Sequence, residues 1–233
     1  MNRAFDFSID EFYHIYSRGV DKRIIFLETC DKDRFVKLLY LCNGDKPTVF
    51  KSIQGETLDK IDVGKKIVSI GAYCLMDNHF HILLKEIEEG GISKFMMRLL
   101  TAYSMYFNKK NKRTGSLFES EFKAKHLDTD EYLKYILSYI HLNPIKMIQP
   151  NWKEDGIFDK TKAKLFLDKY NYSSYSDYLG AEREEGLILD KKGLPEYFAE
   201  FKVFEDFIDE WLSFIPDSEI QGLPLEIPRG DLG

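Results

Sequence analysis

The chain contains no run of eighteen apolar residues, so none of its 233 residues is expected to sit in a membrane-spanning helix. Its first residues, Met1 to Asp6, carry no hydrophobic signal segment. Three cysteines (Cys30, Cys42 and Cys74) are too few and too scattered for a disulfide framework or CxxC spacing, which fits a reducing, cytoplasmic setting. Nor is there a surplus of positive charge: the formal net charge is -6 at pH 7. That average conceals an asymmetry. Residues 1–150 hold 23 Lys+Arg against 20 Asp+Glu, whereas residues 151–233 hold the remaining 10 against 19. Whole-chain charge therefore does not exclude a nucleic-acid partner. A hydrophobic content of 44%, with 15% aromatic residues, is enough for one core and an appendage.

The most informative local pattern is His79-Phe80-His81-Ile82-Leu83-Leu84, preceded by Asp77-Asn78. On a strand, residues two apart share a face, so His79 and His81 project together while Phe80 and Ile82 face the core. Two neighbouring imidazoles make half a site for a divalent cation. Other elements follow from periodicity. Glu11 to Ser17 reads as a strand, Asp31 to Leu41 as a helix, and Ile67 to Met76 as a strand that turns at Asp77-Asn78 into the histidine strand. Ser93 reads as the cap of a helix with Phe95, Met96, Leu99, Leu100, Tyr103 and Phe107 on its apolar face. A strand within Leu117 to Leu127 and a helix from Asp128-Thr129 to Pro144 complete the order β-α-β-β-α-β-α.

Two split β-α-β halves predict an α+β, ferredoxin-like antiparallel sheet with helices on one face. Residues 1–150 form the expected core, with 43–66 as an inserted loop or hairpin. Residues 151–233 form an acidic, α-rich C-terminal appendage whose Pro195 to Phe214 helix packs on the core.

On the helix ending at Pro144, Tyr132, Tyr135, Tyr139 and Asn143 share a stripe. Taken alone, that stripe is ordinary amphipathic packing, with half-buried rings and wet hydroxyls. Beside a histidine pair, a tyrosine there could attack a phosphate while an amide one turn later helps to hold a metal. Lys94 to Arg113 contains six cations and no acid, interleaved with Tyr103, Tyr106 and Phe107. A solvated helix face and a phosphate-and-base surface both fit it. Lys109, Lys110, Lys112, Arg113, Lys123 and Lys125 are the candidate DNA-backbone contacts. His14 and Arg18 suit either core hydrogen bonding or DNA contact. His126 and His141 suit surface or capping roles better than ligation, and Tyr132 and Tyr135 suit packing or base stacking.

Tyr73 to Leu84 resembles the HUH motif (His-hydrophobe-His) of single-tyrosine transposases, and Tyr139-Ile140-His141-Leu142-Asn143-Pro144 resembles their tyrosine-helix signature. Tyr13 to Gly19, Gly115 to Lys123, and Tyr172-Ser173-Ser174-Tyr175 with Asp177 to Gly180 resemble further family segments, in family order across most of residues 10–180. The nearest branch by resemblance is the REP-associated tyrosine transposases.

The resemblance implies a metal-dependent endonuclease and strand transferase for single-stranded DNA with hairpin or repeat elements. Tyr139 would form a 5′-phosphotyrosine intermediate, and His79, His81 and Asn143 would hold Mg²⁺ or Mn²⁺. Arg18 joins the six lysine and arginine candidates as a DNA contact. Both a monomer and a homodimer occur among such relatives. A non-cleaving, domesticated hairpin-binding protein is the main alternative, and a metal enzyme of small molecules a more distant one. The family commonly has proline where this chain has Asp77, an acid expected either to alter the turn or to act as an outer-sphere partner of the metal.

Overall fold

The computed structural model describes residues 6–46, 53, 55–195, 198 and 201–213. Met1 to Phe5, Pro47 and the segment 214–233, including Phe214, lie outside the described residues.

Strand β1 (Phe12–Arg18) opens the sheet and is followed by helix α1 (Thr29–Leu41). This helix begins two residues before Asp31, because Asp31 closes a capping box with Glu28: its carboxylate accepts from the Leu27 and Glu28 amides at 2.9 and 3.0 Å. The next excursion is closed at its base by a Gly44–Lys66 bridge and contains a short 3-10 turn, Leu58–Lys60. Asn43 anchors it, donating to the Val68 carbonyl and accepting from the Ile67 and Val68 amides.

Strands β2 (Val68–Leu75) and β3 (His79–Glu86) form the expected hairpin. Helix α2 (Gly91–Lys110) starts at Gly91 rather than being capped by Ser93. The cause is Glu86 at the end of β3, whose buried carboxylate accepts from the Ile92 amide at 2.7 Å, while Gly90 takes the left-handed conformation (φ 74°) that turns the chain into the helix. Strand β4 (Lys123–His126) is shorter than the sequence pattern suggests. Leu117 and Phe118 are buried, yet Phe118 contributes only an isolated bridge to Gly19 before the chain joins β1. Helix α3 (Asp130–Leu142) follows, with the Thr129 hydroxyl accepting from the Tyr132 amide, and a 3-10 segment Asn143–Met147 continues through Pro144. Among the described residues, four α-helices follow: α4 (Trp152–Asp155), α5 (Lys160–Lys169), α6 (Tyr175–Tyr178) and α7 (Phe201–Leu212).

The strand order is β2-β3-β1-β4 with every neighbouring pair antiparallel, the ferredoxin-like arrangement. One face carries Tyr13, Ile15, Phe80 and Ile82 and is covered by α1 and α2. Phe35 meets Phe80 at 4.9 Å between ring centroids and Tyr103 at 5.0 Å. Each such aromatic pair adds about 0.5–1.5 kcal/mol beyond its buried area. The other face carries His14, Tyr16, His79 and His81, and α3 packs there. Helix α3 is in turn backed by α7, with Trp211 against Tyr135 at 5.2 Å and Phe204 against His141 at 5.1 Å.

The free edge of β2 is covered by residues 172–174. Leu75 donates its amide to the Tyr172 carbonyl at 2.9 Å, and Tyr73 exchanges bonds with Ser174. With both faces and this edge covered, β2 is buried along its whole length.

Candidate active site on the histidine face of the sheet

Antiparallel register sets the site. Tyr16 pairs with His81, Arg18 with His79 and Cys74 with His81, so these side chains share one face. Helix α3 lies over that face and brings Tyr139 to the histidines. The Tyr139 ring centroid is 5.2 Å from that of His81 and 5.9 Å from that of His14, and the His79 and His81 rings are 5.0 Å apart. All four expected residues, His79, His81, Tyr139 and Asn143, therefore fall in one buried cluster.

The cluster is rich in unsatisfied polar atoms. Among the described residues, ten buried side-chain nitrogen or oxygen atoms have no hydrogen-bond partner, and half of them are here: His79 Nε2, His81 Nε2, the Tyr139 hydroxyl and both amide atoms of Asn143. Leaving such atoms unpaired costs roughly 1–3 kcal/mol each, so their convergence requires a reason. The opposite ring nitrogens are held. His79 Nδ1 lies 2.6 Å from Asn78 Oδ1, and His81 Nδ1 lies 2.9 Å from His14 Nε2. Each imidazole is thus oriented through one nitrogen and bare at the other, the arrangement of a metal-binding histidine with its supporting partner.

Burial pushes the His79 pKa down to about 4, with Lys146 and Arg18 adding to the effect and Asn143 and Asp77 opposing it. His14 falls to about 3 through burial and the charge of Lys153. Burial, reinforced by the neighbouring histidines and lysines, puts His81 well below its ordinary value. All three rings are neutral at neutral pH, the form that offers a lone pair. No group of three His, Cys, Asp or Glu side chains that could hold a metal occurs among the described residues. A cation here would have to take the two imidazoles with the neutral Asn143 amide, and the bare Nε2 atoms and the Asn143 Oδ1 fit that set.

Burial also raises the Tyr139 phenol above its ordinary pKa, against the influence of the nearby Asn143. Over the Tyr139 ring sits Lys153 Nζ, 3.9 Å from the centroid. Sequence reasoning passed over this lysine and Lys146, because neither belongs to a spacing pattern. It also left open the role of His14, which is a buried hydrogen-bonding partner of His81.

The candidate DNA contacts divide. Lys123 and Lys125 pair in register with Tyr16 and His14, so they share the histidine face with Arg18, whose guanidinium meets Glu119 at 2.9 Å. The other four lie at the end of α2 and just beyond it, on the helical side of the sheet. Lys109 and Lys112 are exposed there. Lys110 binds Glu28 at 2.9 Å and the buried Asp31 at 2.6 Å, and Arg113 binds Asn108 and the Ser116 carbonyl.

His141 is fully buried rather than at the surface, with Nε2 2.8 Å from Ser174 Oγ. His126 pairs with Glu11. Asp77 pairs with Lys32 of α1 at 2.9 Å, and its carbonyl accepts from the Ile25 and Phe26 amides, so it ties the β2–β3 turn to the start of α1. The tyrosine stripe is more buried than amphipathic packing requires: Tyr132, Tyr135 and Tyr139 are all buried, and the Tyr135 and Tyr139 rings lie nearly parallel.

Residues 48–143 match the family model described as "Transposase IS200 like". That segment holds the histidine pair, Tyr139 and Asn143, and it is similar to this family of single-tyrosine transposases. No curated protein sequence matches the chain. A solved structure described as a REP-associated tyrosine transposase bound to a REP hairpin aligns with 79% of this chain and 89% of that one, at 10% identity and a TM-score of 0.45. No described helix is long and apolar enough to cross a membrane.

Proposed function

We propose that the protein is a metal-dependent single-stranded DNA nickase and strand transferase with Tyr139 as its nucleophile. Transposase-like processing of DNA is the activity class of the matching family. The observation that carries the finer reading is the convergence of Tyr139, His79, His81 and Asn143 with five unpartnered buried polar atoms between them. Residues 1–150 serve as the catalytic core and 151–233 as the appendage that backs it.

Tyr139 Oη attacks the scissile phosphorus, forming a phosphotyrosine bond as the P–O3′ bond breaks, and the departing oxygen leaves as a 3′-hydroxyl. A Mg²⁺ or Mn²⁺ ion held by His79, His81 and Asn143 would withdraw charge from that phosphate. Asn78 fixes the His79 tautomer with the proton on Nδ1. A metal on His81 Nε2 would require the His81 proton on Nδ1, where His14 Nε2 lies 2.9 Å away to accept it. Because the phosphotyrosine link is itself a phosphodiester, a 3′-hydroxyl can reverse the step without ATP. Arg18, Lys123 and Lys125 on the histidine face contact the DNA backbone, with the exposed Lys109 at the end of α2 and Lys112 just beyond it as further contacts, whereas Lys110 and Arg113 are held by protein partners. The substrate class, a hairpin- or repeat-bearing single strand, follows from the resemblance of the motifs to the REP-associated branch.

The test is a denaturing gel of the protein incubated with hairpin-bearing oligonucleotides and Mn²⁺. Wild type should yield a covalent adduct and Tyr139→Phe none; an equal adduct from the variant rules out the mechanism. One observation favours the second reading, a hairpin-binding protein that does not cut: Tyr139 is only 3% exposed. That reading predicts DNA binding with no adduct under any metal condition.

A further inference from the structure

Two lysines beside the site have no carboxylate partner among the described residues. Lys146 lies on the 3-10 segment directly after α3, and Lys153 lies on α4. Both are half-buried. Several other partly buried lysines are held by protein oxygens: Lys32 meets the Asp77 carboxylate, Lys164 meets Glu205 and Asp209, and Lys66 and Lys191 donate to the Leu187 and Asp177 carbonyls. Lys146 and Lys153 form no ion pair among the described residues, and the acid that acts on both, Glu154, is exposed.

Their charges act inward. Lys146 bears on His79 and His81, Lys153 on His14 and His81, and Lys146 depresses Lys153, whose pKa is lowered to about 7 first of all by burial. The contact of Lys153 with the Tyr139 ring, at 3.9 Å, offsets only part of the cost of its desolvation. Partly dehydrated cations on this side of the site are poor neighbours for a divalent metal as well. An anion lying between the lysines, the histidines and Tyr139 relieves all of these repulsions, and the reacting group of the proposed substrate is one: a phosphodiester.

We infer that Lys146 and Lys153 form a clamp for the non-bridging oxygens of the scissile phosphate above Tyr139, and that this clamp makes divalent-cation binding depend on bound DNA. The inference rests on the reading of the site given under the proposed function. Since coupling is reciprocal, DNA tightens the metal and the metal tightens DNA.

The experiment uses the full chain carrying Tyr139→Phe, which keeps the ring beneath Lys153 and blocks cleavage. Free Mn²⁺ is read by electron paramagnetic resonance, with and without a hairpin-bearing oligonucleotide, and DNA affinity is measured separately. Manganese should bind roughly 10-fold tighter with DNA present, within the usual range of coupling between sites. Adding Lys146→Met and Lys153→Met should tighten Mn²⁺ in the absence of DNA, abolish the DNA enhancement and weaken DNA binding. Lys169→Met, at an exposed position, controls for loss of charge alone, and thermal melts confirm folding.

Unchanged Mn²⁺ and DNA affinities in the double-methionine variant overturn the clamp. His79→Ala and His81→Ala separate the two claims. If these variants bind Mn²⁺ as wild type does, the metal reading fails. The clamp is then judged on DNA affinity, where a double-methionine variant equal to Lys169→Met overturns it.

Discussion

His14 and Lys110 show how a residue's role depends on partners distant in sequence. His14 is 67 positions from His81, yet the two rings share a buried hydrogen bond. Replacing it with alanine should leave His81 free to rotate. Such supporting partners typically contribute 10- to 100-fold to metal affinity, so Mn²⁺ titration of His14→Ala should show a loss of about 10-fold or more. Equal affinity in the variant would mean that His14 has only a packing role. Lys110 reads in sequence as part of a basic run, but its ammonium group meets Asp31, a carboxylate 79 positions away with no exposed surface. Lys110→Ala should therefore lower stability by about 1–3 kcal/mol, read from the denaturant midpoint, whereas Lys112→Ala should change it by less than about 0.5 kcal/mol. The pH dependence has a definite sign. Burial alone would raise the Asp31 pKa, but Lys110, Tyr106 and the Glu28 backbone outweigh it and hold the pKa below its ordinary value. The associated stability is full above the unfolded carboxylate pKa and is lost as pH falls through the lowered native one.

At the scale of elements, strands and helices with their own periodicity were legible, and their ends were not. The histidine strand and the tyrosine helix stand close to where alternation and the Thr129 cap place them. The start of α2 escaped sequence reasoning because its first amides are satisfied by Glu86, a residue of the preceding strand. Strand β4 shortened because Leu117 and Phe118 find burial without joining the ladder. Residues 172–174, which run along β2 as a partial strand, show no strand pattern of their own. Ser174 is their anchor: its hydroxyl accepts from the Tyr73 amide at 3.0 Å and lies 2.8 Å from His141 Nε2. Ser174→Ala leaves the Tyr73 amide and His141 Nε2 without this buried partner and should cost about 1–3 kcal/mol, visible as a lowered unfolding midpoint. An unchanged midpoint would show that the appendage contributes nothing to the β2 edge.

For the whole molecule, the sheet separates two tasks. One face, filled by the aromatic side chains beneath α1 and α2, is packing. The other face gathers three histidines, with Arg18, Lys123 and Lys125 along the same strands, and α3 and the segment after it bring Tyr139 and Asn143 over them. The histidine pair, Tyr139 and Asn143 were legible because each pair sits within one element at its natural spacing, two on a strand and four on a helix. Lys146, Lys153 and His14 were not, since only tertiary packing brings them to the site. The acidic surplus lies after residue 150, where 19 Asp+Glu face 10 Lys+Arg, while residues 1–150 hold 23 Lys+Arg against 20 Asp+Glu. The measurement closest to the central claim is mass spectrometry of protein digested after incubation with a hairpin-bearing single strand and Mn²⁺. The account predicts a nucleotide phosphate esterified to the peptide containing Tyr139; an adduct on any other residue, or none on any cognate strand, contradicts it.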